Sequence, residues 1–131
     1  MVILVAIFAT LSAALHIVIF YWESLAWTTP SVWKRFGLAS QEEAETTRVL
    51  AYNQGFYNLF LALGALIGAI LYGLGVHGIG FALGIFSVIC MFAASVVLVS
   101  SGPGKVRSAL IQGTLPLITI VLYIVSGVTG A

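Results

Sequence analysis

The chain has 131 residues, enough for one domain, and is 61% hydrophobic and only 7% charged. A soluble domain carries roughly 25% charged residues, so a water-soluble globule is excluded. The net charge of +1, with no clustered basic patch, excludes nucleic acid as a partner.

The hydrophobic core of a bilayer, about 30 Å thick, takes about 20 apolar residues at 1.5 Å each. Residues 1–22 carry no charge. They lack a basic leading region and exceed the apolar stretch of a signal peptide, so a membrane span over residues 2–24 is expected. The next segment is polar. Thr29-Pro30 suits a helix start, with proline at the first helical position. Val32, Trp33 and Phe36 recur at helical spacing beside Lys34 and Arg35, which predicts a short amphipathic helix at the membrane interface, ended by Gly37. Ser40-Gln41-Glu42-Glu43 reads as a capping box opening the next helix, with Ser40 as N-cap.

Residues 49–104 again contain no Asp, Glu, Lys or Arg. That is too long for one helix, and Gly75-Val76-His77-Gly78 divides it into spans expected over residues 41–74 and 79–100. Gly64 and Gly68, and Gly80 and Gly84, are two small-xxx-small pairs, which fit contact with a second copy or another membrane protein. The single cysteine, Cys90, lies in an apolar run and reads as an inert core thiol. Ser101-Gly102-Pro103-Gly104 precedes a fourth span over residues 105–128, in which Pro116 is expected to kink the helix or open its ladder toward a neighbour. Lipid does not tolerate unpaired backbone, so all spans are helices. The expected fold is all-α: one up-down four-helix membrane bundle filling residues 1–131.

Lys34, Arg35 and Arg48 lie in or beside the first connection, and Lys105 and Arg107 in the third. Neither terminus nor the second connection carries a Lys or Arg, so the positive-inside rule places both ends outside and the first and third loops in the cytoplasm. A multi-pass protein of the cell membrane is the expected localisation.

Polar groups within spans are costly and mark candidate sites. The first span carries His16 and Glu23, seven residues apart and nearly on one helix face, but about 10 Å apart in height. The second carries Asn53, Gln54, Tyr57 and Asn58, two i,i+4 pairs forming one stripe; the fourth carries Gln112. From the cytoplasmic ends, His16 lies roughly 10 Å deep, Asn53 and Gln112 roughly 8 Å, and Asn58 roughly 15 Å, with Glu23 at the mouth. Each has a plainer reading: amides often just join helices, His16 fits a satisfied core histidine, Tyr57 fits packing, and Glu23 fits an anchor paired with Arg48 or Lys34. Their shared depth favours a pocket in the cytoplasmic half. His77, in the outer turn, is expected to be solvated.

The runs Tyr21-Trp22-Glu23, Trp27-Thr28-Thr29-Pro30, Phe36-Gly37-Leu38, Glu43-Ala44-Glu45-Thr46 and, most specifically, Asn53-Gln54-Gly55-Phe56-Tyr57-Asn58 resemble the bacterial membrane family catalogued as domain of unknown function 1304. The similarity extends from His16 to Gln112-Gly113-Thr114-Leu115-Pro116. It implies a small four-helix membrane protein without an established activity.

Three functions compete. The first is binding or transport of a small amphipathic or lipid-like molecule by His16, Glu23, Asn53, Gln54, Tyr57, Asn58 and Gln112, with Glu23 gating or meeting a cationic group. The second is an accessory subunit of a larger membrane complex. The third is an intramembrane enzyme using His16 and Glu23 as acid and base, for which no nucleophile motif is present. No cofactor is implied: no Cys/His spacing suits a metal, and His16 and His77 fall at opposite membrane faces.

Overall fold

The computed structural model describes residues 1–130. Helix α1, Val2–Phe20, continues into a π-helical turn, Tyr21–Leu25. Then follow α2, Pro30–Arg35, α3, Gln41–Gly73, α4, His77–Ser100, and α5, Val106–Thr129. Four of these are long and apolar enough to cross a membrane: Val2–Leu25, Gln41–Gly73, His77–Ser100 and Val106–Thr129. The chain is a multi-pass membrane protein. Isoleucines, leucines and valines on the outer faces of the bundle are widely exposed, as lipid contact requires.

The four long helices form a ring in chain order. α3 lies between α1 and α4, α5 closes the ring against α4 and α1, and the diagonal pair α1 and α4 barely touch. Connections of a few residues join α3 to α4 and α4 to α5, which makes sequential helices antiparallel neighbours.

Local chemistry sets the helix ends. Ser40 is extended and its side chain accepts the Glu43 N–H at 3.1 Å, as the capping box requires. Glu43 reaches back one residue further than expected, accepting the Ala39 N–H at 2.7 Å. α2 and α3 both end in Schellman turns. The Leu38 N–H donates to the Trp33 carbonyl at 3.1 Å and the Val76 N–H to the Leu71 carbonyl at 2.9 Å. The residues that allow this reversal are Gly37 (φ 79°) and Gly75 (φ 86°), since left-handed backbone is nearly free only for glycine.

α2 turns its apolar side onto the protein: Val32 and Trp33 are buried. The Trp33 indole N–H donates to Gln41 Oε1 at 2.8 Å, and Trp27 donates to Thr47 Oγ1 at 3.0 Å. The first connection is thereby tied to the start of α3.

The seam between α3 and α4 is built on glycine. A Cβ on Gly68 would fall on the backbone of Gly84, and one on Gly80 on the backbone of Tyr72. Gly64 faces the Ser87 hydroxyl and Gly84 the Tyr123 ring. All four glycines of the small-xxx-small pairs thus meet neighbours within this chain. Beside the seam, Tyr72, Phe81 and Tyr123 form an aromatic cluster with centroids 5.5–6.4 Å apart, Tyr123 meeting both others edge to face, and the His77 ring stands 5.1 Å from Tyr72.

Tyr72 bonds the Ser126 hydroxyl at 2.8 Å. The fully buried Tyr123 hydroxyl has no partner among the described residues. An unpaired buried hydroxyl is a net cost, so Tyr123→Phe is expected to raise stability by about 1 kcal/mol. Reversible unfolding in mixed micelles measures this; a loss of similar size would mean that the hydroxyl is bonded.

Candidate functional site

At the end of the bundle that carries the first and third connections, the helices enclose a cavity of about 440 Å³. Small-molecule sites occupy roughly 300–1,000 Å³. All four long helices contribute walls, and two connecting segments add Arg35, Phe36, Ser101 and Lys105. Leu15, Ile19, Leu61, Ala94, Leu98 and Ile111 supply apolar surface.

Five residues expected from the sequence line it together: Glu23 from the π turn, Gln54, Tyr57 and Asn58 from α3, and Gln112 from α5. Asn58, only 7% exposed, donates from Nδ2 to Glu23 Oε2 at 2.8 Å. The same amide nitrogen lies 3.3 Å from the Gln54 carbonyl. This α1–α3 bond fixes the carboxylate at the cavity wall.

Two other residues lie apart. Asn53 is exposed on α3 and is not among the lining residues. His16 is fully buried; its Nδ1 lies 2.9 Å from the Ser12 carbonyl, and Nε2 has no partner among the described residues. One turn away the Ser12 and Thr119 hydroxyls approach to 3.1 Å, joining α1 to α5. His16 thus belongs to the packed interior and does not line the cavity with Glu23.

The π turn accounts for part of that separation. Its wider winding is marked by the Ala26 N–H donating to the Tyr21 carbonyl at 3.0 Å, and it moves Glu23 off the register that a plain α-helix would share with His16. Gly55 opposite makes room: a Cβ there would strike Ser24 and the Phe20 carbonyl. The Ser24 hydroxyl donates to the Tyr52 carbonyl at 2.8 Å, which pins the turn against α3.

Arg35 and Lys105 stand at the mouth. The Arg35 guanidinium lies 4.6 Å from the Trp22 ring centroid, a cation–π contact. Lys105 donates from Nζ to the Phe36 carbonyl at 2.9 Å, drawing the third connection onto the end of α2. Phe36 itself sits against Trp27, with centroids 4.8 Å apart. The sequence marks both cations as indicators of orientation; their place at the cavity depends on how the two connections fold over the bundle.

Pro116 is fully buried in α5, which runs through it without interruption. Proline has no N–H, so the Gln112 carbonyl four residues earlier loses its helical donor. Among the described residues, no three of His, Cys, Asp and Glu are placed to hold a metal ion.

A second, more open groove of about 590 Å³ lies at the opposite end, against Tyr72, His77, Phe81 and the last turn of α5. Among the described residues that line it there is no Asp, Glu, Lys or Arg side chain.

Searches of curated proteins and of solved structures returned no match. A family described as protein of unknown function, DUF1304, matches residues 10–124. With its four membrane-length helices and most of its length matched, the chain belongs to the DUF1304 family.

Proposed function

We propose that this protein binds a small amphipathic molecule in the cavity walled by Glu23, Gln54, Tyr57, Asn58 and Gln112. The observation that carries this reading is the cavity's composition: a carboxylate, amides and two cations share about 440 Å³ with aliphatic side chains. Unfilled polar space in a membrane protein is costly unless water or a ligand satisfies it. The volume lies within the range of small-molecule sites. The five-to-none distribution of Lys and Arg supports a cavity facing the cytoplasm from the cell membrane.

Binding is favoured over transport by what lies beyond the cavity. Between the cavity and the groove at the far end stand the Gly68–Gly84 backbone contact and the Tyr72, Phe81 and Tyr123 rings, so a passage would have to break a packed seam. The acid–base reading of His16 with Glu23 draws no support from the geometry, because His16 is not among the cavity's lining residues.

Native mass spectrometry of the protein released from lipid nanodiscs tests the reading. Wild type is expected to carry an adduct of constant mass. Ala94→Trp, which fills the cavity from α4, is expected to lose it, while Val128→Trp at the far end retains it. Adducts that are absent from wild type, or unchanged by Ala94→Trp, would sink the proposal.

A further inference from the structure

The cavity carries an excess of positive charge at its mouth. Arg35 and Lys105 line it against a single carboxylate, Glu23. That carboxylate already accepts the Asn58 amide, and its π turn is held to α3 through Ser24. Both cations are positioned but not used up. Lys105 has given one N–H to the Phe36 carbonyl, and an ammonium carries three. Arg35 Cζ sits 4.6 Å from the Trp22 centroid, and a guanidinium carries five N–H donors, enough to form two parallel bonds to an oxyanion.

The apolar part of the cavity leads sideways. Tyr57 on α3 and Val97 on α4 line it and are also 61% and 64% exposed. Exposed lining side chains on both helices point to an opening between α3 and α4. The same two helices are locked by glycine contacts in their other halves.

We propose that the ligand is a single-chain amphiphile with an oxyanion head, held between Arg35 and Lys105, its chain running past Leu61 and Ala94 to the lipid between α3 and α4. This rests on the binding reading above and reverses the expectation that Glu23 meets a cationic group.

The test uses three probes that share a ten-carbon chain: decyl phosphate, decyltrimethylammonium and decyl maltoside. Each is added below solubilising concentration to the protein in phosphatidylcholine nanodiscs, and occupancy is read by native mass spectrometry. Wild type is expected to hold decyl phosphate at least tenfold more tightly than either of the others. Arg35→Gln with Lys105→Gln should lower that affinity tenfold or more. Arg48→Gln with Arg107→Gln removes the same charge away from the lining residues and should leave it unchanged. Inorganic phosphate at equal concentration should fail to displace the probe; displacement would point to a soluble anion and overturn the proposal. Equal or tighter binding of the ammonium or the maltoside would overturn the oxyanion head while leaving a binding cavity intact. Retention of none of the three by wild type would overturn the binding reading itself.

Discussion

Replacing Gly68 with valine is expected to destabilise the bundle by about 3 kcal/mol, at the upper end of what overpacking usually costs. The reason is what the new Cβ would meet. It would fall on the backbone N and Cα of Gly84, with the Gly80 carbonyl 3.1 Å away. No side chain there can swing aside, so α3 and α4 would have to separate along their whole seam. The neighbouring glycines set the scale. At Gly64 the obstruction is the Ser87 hydroxyl, a side chain that can rotate, so Gly64→Ala should cost less. At Gly73 a Cβ meets nothing within 4 Å, and alanine there should be tolerated or mildly favourable. Unfolding midpoints in mixed micelles for the three variants should follow that order. A Gly68 variant as stable as wild type would mean that the two helices do not touch as described.

The second large effect belongs to the pair that joins α1 to α3 at the cavity wall. Neutral hydrogen bonds between membrane helices average about 0.6 kcal/mol, whereas those to a charged group reach roughly 1.5–3 kcal/mol. Asn58→Leu removes the donor that serves Glu23 Oε2 and leaves a carboxylate against aliphatic walls. A loss of about 2 kcal/mol is expected. The double variant Glu23→Leu with Asn58→Leu removes the stranded carboxylate as well and should be more stable than Asn58→Leu alone. A double-mutant cycle reports the coupling directly. Strict additivity of the two single changes would show that the side chains act independently.

Features legible in the sequence were those decided by local chemistry. Ser40 with Glu43, Pro30, and the glycines at positions 37 and 75 each meet a requirement set within a few residues. Hydropathy alone located four membrane-length helices, because lipid leaves the backbone few alternatives. The expense of burying polar groups singles out Asn53, Gln54, Tyr57 and Asn58 on α3 with Glu23, and all but Asn53 line one cavity with Gln112. Depth groups His16 with them, but depth does not say which way a helix face turns. The π turn at Tyr21–Leu25 has no local signature: it is held by Ser24 bonding Tyr52 and by space above Gly55, residues about thirty positions away. For the same reason the sequence marks Arg35 and Lys105 only as indicators of orientation. They converge only once the Lys105 side chain reaches the Phe36 carbonyl, 69 positions earlier in the chain.

At 33 residues, α3 is about 50 Å long, some 20 Å more than the apolar core of a bilayer. It is one unbroken helix, anchored by contact with Gly84 near its far end and by the aromatic connection near its start. Its surplus length therefore stands outside the apolar core, at the end that carries Glu42, Glu43, Glu45 and Arg48, because charged side chains are costly within it. The cavity's polar wall of Gln54, Tyr57 and Asn58 begins roughly 20 Å beyond Gln41, so it opens at the level where α3 enters the lipid.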